Sequence, residues 1–435
     1  MAKSVRSAMV LLVLLAVAAG LGAGLFMLYR DTQGPLLAVT PATGPVSPQT
    51  SVSVQADDEA SALRALTVRV VQEGASTTLL ERVYSPARSS VSEPLDLSGA
   101  GLDDGPFIIE VRAVDASWAG FGKGNAADLQ KTLELDATPP RLSVQSGQHN
   151  IKPGGSGCIV YTVSEPVSRS GVTVGEHFFP GYAQADGRHV ALFAFPFDME
   201  EADFSPRLTA EDVAGNQRER RFNYHVSSRS FRSDVLNLPD SFLERKMPDF
   251  ETIFPGEMTP LERFLKVNGE LRKKNRAQLL HIGRETGGAP VWEGAFIRMA
   301  GANRAGFGDR RTYKYNGEVV DNQTHLGIDL ASVRNDEVPA ANTGKVVFAD
   351  YLGIYGNVVI IDHGLGLQSL HAHLSEIAVQ EGDMVKKGQT VGKTGMSGLA
   401  GGDHLHFAVL VSGMPVTPVE WWDAHWIQDN VADRL

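Results

Sequence analysis

The hydrophobic positions of this 435-residue chain fall into four successive patterns. The first is an unbroken apolar run, Ala8 to Leu28, 21 residues without a charge. That is long enough to cross a hydrocarbon core as a helix. From about residue 36 to 226, apolar and polar positions alternate in short runs such as Leu66–Gln72 and Phe107–Asp115, with turn clusters between them. A period of two sends successive side chains to opposite faces of a strand, so this region is predicted to be all β. Between 227 and 290 the alternation stops. Thr259-Pro260-Leu261-Glu262 is a capping box with proline at the first helical position. Leu261, Phe264, Leu265, Leu271 and Leu279 then recur at roughly helical spacing, which predicts a helix of about 20 residues ending near His281. From about Val291 short strands return, as GKVVFAD, NVVIIDHG, GLQSLHAHL and HLHFAVLVSG. Their close spacing and glycine-rich turns predict a compact antiparallel β domain.

The predicted fold is therefore mainly β. Its parts are a cytoplasmic tail (1–7), a transmembrane signal anchor (8–28), a spacer with a first β-sandwich module (29–138), a second module (139–226), a helical connector (227–290) and a C-terminal β domain (291–435). Residues 31 to about 50 are rich in Pro, Thr, Gly and Ser and read as a stiff, extended spacer. The two modules have the size of β-sandwiches. A weak repeat links them: EVRAVDAS near Asp115 and RLTAEDVAGN near Asp212 each run strand, aspartate, turn, with DATPP (Asp136–Pro140) between. In that junction and hairpin they resemble bacterial immunoglobulin-like spacer domains. Lys3 and Arg6 precede the apolar run, while Arg30 and Asp31 after it cancel. The positive-inside bias places residues 1–7 in the cytoplasm and the rest outside, a single-pass protein of the inner membrane. A cleaved signal peptide is the alternative, and the length of the run favours an uncleaved anchor.

Composition narrows the function. With 43% hydrophobic and 21% charged residues the chain can fill several cores. A net charge of −11 argues against a nucleic-acid partner. Cys158 is the single cysteine, so no internal disulfide and no thiolate cluster can form. It sits in the strand-like GCIVYTV and reads as a small buried hydrophobe. Any metal site must then use His, Asp or Glu.

Six of the twelve histidines lie between Thr324 and Phe407. THLGIDLA offers His325 and Asp329, LHAHL offers His371 and His373, and DHLHF offers His404 and His406. On strands, even spacing means a shared face. His404 and His406 are thus predicted opposite Leu405 and Phe407, and His371 and His373 opposite Leu370, Ala372 and Leu374. Burying so many ionisable groups without a partner is costly, and a divalent cation removes the cost. Catalytic zinc takes three protein ligands plus water, which leaves imidazoles for proton transfer and oxyanion stabilisation. The remaining histidines lack ligand spacing. His363, in the turn DHGLG, is expected to face solvent, and His281 and His425 have no partners in sequence.

THLGIDLA, YGNVVIIDHGLGLQSLHAHLSEI and GDMVKKGQTVGKTGMSGLAGGDHLHF together resemble the lysostaphin-type (LytM-type) zinc metalloendopeptidases, over about Phe307 to Trp426. The resemblance implies zinc ligation by His325, Asp329 and His406 and catalytic roles for His373 and His404. All five are present. It departs from the family at His371, where an aromatic is usual, and at Asp403, which replaces a proline and reads as a turn residue or an orienter of His404. The implied substrate is peptidoglycan peptide, here D-alanyl cross-links. The implied setting is a hydrolase carried outward from the cytoplasmic membrane, with any regulatory protein partner unidentified. Two rivals remain: a non-catalytic wall-binding or hydrolase-activating scaffold, and a membrane-anchored transport adaptor, suggested by EGDMVKKGQTVG. A wall hydrolase must be restrained, so the connector and modules are expected to cover the groove, and a 291–435 fragment to be the more active form.

Overall fold

The computed structural model describes residues 2–28 and 31–435. The protein is mainly β, with an apolar N-terminal helix, Ala2–Leu28. Within that helix Ala8–Phe26 is long and apolar enough to cross a membrane, by length and composition. Of the charges expected to orient it, Arg30 lies outside the described residues, as do the side chains of Lys3 and Arg6.

The chain divides into two compact units, the first comprising 1–139 with 211–216 and the second 140–210 with 217–435. The first contains a five-stranded and a three-stranded sheet around one core. Alternation explains it: Phe107, Ile109, Val111 and Ala113 of strand Gly105–Asp115 point inward, as do Val52, Val54 and Ala56 of Val52–Asp57. The aspartates of the sequence repeat do matching work. Asp115 accepts hydrogen bonds from the backbone and side-chain amides of Asn125, and Asp212 from those of Asn216.

In the second unit, two four-stranded sheets precede the C-terminal domain. No break in packing falls at residue 226. Tyr161, Phe179, Phe193 and Phe195 belong to the same hydrophobic cluster as Leu330, Val346, Phe407, Val409 and Trp421. Cys158 is fully buried there, and burial pushes its thiol up to about 12.

Glu420 is tied into this shared interior by the Ser156 backbone N–H (2.9 Å) and hydroxyl (3.1 Å). Burial outweighs those bonds and the charges of Arg229 and Lys152, and raises its pKa to about 7. An unfolded glutamate titrates near about 4.3. Between those values the folded chain holds a proton that the unfolded chain releases, so stability falls as pH rises through the window. Glu420→Gln is expected to raise the melting temperature at pH 8 by about 1–3 °C and to change it little at pH 4.5, by calorimetry. Equal shifts at both pH values would assign the effect to packing.

The C-terminal domain is built on an eight-stranded antiparallel sheet: β1 (Ala302–Ala305), β2 (Ile328–Ala331), β3 (Gly344–Tyr351), β4 (Asn357–Asp362), β5 (Leu367–Leu374), β6 (Met384–Val385), β7 (Leu405–Val411) and β8 (Met414–Val416). The order is β1-β2-β7-β5-β4-β3-β6, with β8 also paired to β7. Leu405, Phe407 and Val409 of β7 enter the core shared with the preceding module. Ala408 and Leu410, with Val358, Ile360, Leu370 and Ala372, form the opposite face.

That opposite face is covered by the 227–290 segment. Helices Pro260–Lys266 and Arg272–Ile282, joined by a π-helical turn at Val267–Leu271, pack Phe264, Val267, Leu271 and Leu279 against it. The capping box is formed: Thr259 Oγ1 accepts from the Glu262 N–H, and the Glu262 carboxylate accepts from the Thr259 N–H. The segment also supplies a strand, Ser233–Asn237, parallel to Arg310–Tyr315. A cut at 291 therefore strips this face of its cover and takes the module residues from the opposite core as well.

Candidate metal centre

β2 and β7 pair with Asp329 opposite His406. Neighbouring strands point paired residues to one face, so both side chains rise beside Ala408 while Ile328, Leu330, Leu405 and Phe407 point into the shared core. His325 lies just before β2. Its backbone is pinned by its N–H to the Asp309 carbonyl (3.0 Å) and by the Gly308 N–H to its own carbonyl (2.7 Å). Its ring Nδ1 lies 2.8 Å from the Gly306 carbonyl, which fixes the proton on Nδ1 and turns the Nε2 lone pair inward.

Three atoms then meet. His325 Nε2 is 2.9 Å from Asp329 Oδ1 and 3.0 Å from His406 Nδ1, and His406 Nδ1 is 2.9 Å from Asp329 Oδ1. All three residues are buried. With its proton on Nδ1, His325 turns an acceptor nitrogen toward an acceptor carboxylate, a contact that costs free energy unless a proton or a cation is shared across it. Two imidazoles and one carboxylate are a donor set for a divalent transition metal, so the residues fit a metal ion. Gly327 lets the approach happen: a Cβ there would lie 2.5 Å from His406 Nε2 and 2.7 Å from the Phe407 carbonyl.

His404 and His373 line the same pocket, of about 110 Å³, with the three cluster residues. Their rings are 4.9 Å apart. His404 Nδ1 lies 2.8 Å from the Gly402 carbonyl and His373 Nδ1 2.9 Å from the Ser397 carbonyl. Each ring is thereby held through Nδ1, and the remaining nitrogen of His404, Nε2, is 3.5 Å from Asp329 Oδ1. Burial works against the Asp329 charge, but the His325 charge and hydrogen bonds from His325, His404 and His406 hold its carboxyl well below the usual range. Burial lowers His406 to about 4 and, with the His404 and His406 charges, takes His373 well below its ordinary value. His404 feels the same burial, yet its hydrogen bond to Asp329 and the Asp329 charge raise it.

All five residues singled out in the sequence thus converge. Others behave differently from expectation. His371 and His373 do not share a face. The pairing of β4 with β5 slips between Asn357 and Val359, and His373 has φ +62°. That bulge turns His373 to the pocket and leaves His371 in the core, its ring 5.2 Å from that of Phe407. Both nitrogens of His371 are buried without a hydrogen-bond partner. His371→Leu is accordingly expected to stabilise the fold by about 1–2 kcal/mol, since it removes two unsatisfied polar atoms at similar volume. Denaturant unfolding checks this.

His363 is fully buried, not solvent-facing. Its Nδ1 lies 2.8 Å from the Thr343 carbonyl, its Nε2 2.8 Å from Ser369 Oγ, and Phe296 packs on its ring. The turn is covered because the Val291 and Leu365 N–H groups bond the His363 and Gly287 carbonyls. Asp403 accepts from the Thr394 hydroxyl (2.7 Å) and ties loops together, so the orienter of His404 is the Gly402 carbonyl. His281 and His425 are exposed.

Three polar side chains of the pocket carry no ligand spacing in the sequence: Arg272, Arg311 and Tyr355. Arg311 ends the run FGDRR (Phe307–Arg311) and bonds Asp329 Oδ2 at 3.3 Å. Tyr355 precedes β4, its ring 5.6 Å from that of His406. Arg272 belongs to the covering helix and carries no signal in the sequence. A three-residue metal site with two free imidazoles beside it has the composition of a hydrolytic centre.

Comparison with known proteins agrees in kind. Residues 323–418 match the model of peptidase family M23, so the C-terminal domain is a peptidase M23 domain of the lysostaphin type. The chain is 40% identical over 95 residues to the DD-carboxypeptidase/endopeptidase Mpg of Neisseria meningitidis serogroup B, covering 22% of each protein. It is 35% identical over 112 residues to the peptidoglycan DD-endopeptidase ShyB of Vibrio cholerae, 26% of each. It is 31% identical over 109 residues to the murein hydrolase activator EnvC of Escherichia coli, 25% of this chain and 26% of that one. The matches thus span only about a quarter of these relatives.

Proposed function

We propose that this protein is a zinc-dependent endopeptidase that hydrolyses peptide bonds of peptidoglycan, at D-alanyl cross-links. The observation that carries the reading is the 2.9–3.0 Å triangle of His325 Nε2, Asp329 Oδ1 and His406 Nδ1 with two unspent imidazoles on the same pocket. Those three residues would hold zinc. When bound, zinc supplies Lewis-acid polarisation of the scissile carbonyl and makes water acidic enough to attack near neutral pH. His373 and His404 divide the proton work at their Nε2 atoms: one takes the proton of the attacking water, the other donates a hydrogen bond to the developing oxyanion. Both are held for it through Nδ1 by backbone carbonyls.

The N-terminal helix serves as an anchor in the cytoplasmic membrane, and the β modules as immunoglobulin-like spacers that carry the domain toward the wall. Similarity to proteins named as endopeptidases supports the substrate. Similarity to a protein named as an activator supplies the competing reading, a scaffold that engages the wall without cutting it. The test is a digest of purified sacculi by the zinc-loaded chain, with fragments read by mass spectrometry. Loss of cross-linked dimers is expected. Unchanged fragments from a fully zinc-loaded protein would establish the scaffold.

A further inference from the structure

The pocket carries more positive charge than metal binding and hydrolysis account for. Arg272 projects into it from the first turn of the covering helix, just after the π-helical turn. Its Nε donates to the Asn268 carbonyl (3.2 Å) and its Nη2 to Asn268 Oδ1 (2.6 Å). Asn268 is fully buried, and its own amide nitrogen donates to Asp321 (2.7 Å). The guanidinium is therefore aimed, with Nη1 and one Nη2 proton left over. Among the described residues no carboxylate pairs with Arg272; the groups its charge feels are Tyr313, Tyr355, Arg276 and Arg311. Arg311 lines the same pocket; among the described residues Asp329 is its only acidic partner, and a bound metal would draw on that same carboxylate. Half-buried charge without a partner is costly, and planar guanidinium groups with free N–H pairs fit a carboxylate.

We infer that Arg272 and Arg311 form a subsite for a free carboxylate on the substrate, on the residue beside the scissile peptide bond. This rests on the hydrolytic reading of the site and adds a substrate class to it: peptides that present an acid next to the bond cut. The acid can be a chain terminus, as in a carboxypeptidase substrate, or the free carboxyl of a diamino acid within a cross-link.

The test is binding, measured by calorimetry on the full chain in detergent, zinc-loaded and carrying His404→Ala so that nothing is cleaved. The probes are N-acetyl-D-alanyl-D-alanine and its C-terminal amide. The acid is expected to bind at least about tenfold tighter than the amide, and the preference to weaken with added salt. Arg272→Gln should bring the ratio close to one, and Arg272→Lys should keep part of it. If the Gln variant fails to fold, the parent protein's acid-to-amide ratio and its salt dependence decide. Equal affinity in the parent, or an undiminished ratio in folded Arg272→Gln, overturns the inference. So does faster sacculus digestion by Arg272→Gln in the otherwise unmutated chain, which would make Arg272 a plug. Sacculi digested without acid preference would sink this inference alone. Acid preference with sacculi intact would sink the hydrolase and leave the subsite standing. Digestion of free-ended and cross-linked muropeptides then separates the two sources of the carboxylate.

Discussion

His404→Ala is expected to reduce release of sacculus fragments by about 10²–10⁴-fold while zinc content stays near that of the unmutated chain. The reason is positional. His404 Nε2 stands 3.5 Å from Asp329 Oδ1, outside the triangle of 2.9–3.0 Å. Its truncation leaves His406 held by the pairing of β7 with β2, and Leu405 and Phe407 stay in the core. Fragment release by mass spectrometry and metal content by elemental analysis are read on one preparation. Full activity in the variant would remove His404 from the chemistry, and loss of zinc would make it a ligand. The same logic applies to His373, but alanine is a poor choice at φ +62°. Asparagine tolerates the left-handed region and isolates the loss of the imidazole.

His325→Ala is expected to act on the metal itself. It removes one corner of the triangle and leaves Asp329 and His406, too few for a site that keeps open positions. Zinc content should fall close to zero, and activity with it. The second readout is stability. A ligand that binds only the folded chain stabilises it by about 2.7 kcal/mol at a hundredfold excess over Kd. Added zinc should therefore raise the melting temperature of the unmutated protein and leave that of His325→Ala unchanged. Asp329→Asn should behave alike and in addition free Arg311 from its partner. A His325→Ala chain that retains full zinc would refute the ligand set.

What was legible in the sequence, and what was not, follows from the range of each signal. The five pocket residues sit in three short segments where ligand spacing and strand period are local properties, so they could be named in advance. The face of His373 could not, because one left-handed residue reverses the alternation and histidine does not announce a positive φ. His363 was misplaced for a related reason: a turn is exposed only if nothing folds over it, and Gly287 to Val291 does. Arg272 was invisible because it reaches the pocket from a helix more than fifty residues upstream of the first ligand.

The boundaries at 226 and 290 rest on an equally local signal. Alternation says which side of a strand is apolar and is silent about what covers it. The breaks expected at 226 and 290 fall where composition changes, whereas Phe193 meets one face of the large sheet's core and Phe264 the other. A 291–435 fragment would expose Val358, Ile360, Leu370 and Leu410, so its silence in a digest would report misfolding rather than an absence of restraint.

The bulge at His373 also has a consequence for inheritance. Positions 371 and 373 are two apart on one strand, yet they answer to different pressures. The first is interior filling, and any apolar or aromatic side chain of suitable volume serves there. The second is a tool on a fixed handle, where both the imidazole and the backbone's willingness to turn left are required. Among descendants of a common ancestor, 371 should drift while 373 stays, and an insertion or deletion of one residue between Asn357 and Leu374 should be purged wherever the pocket is kept.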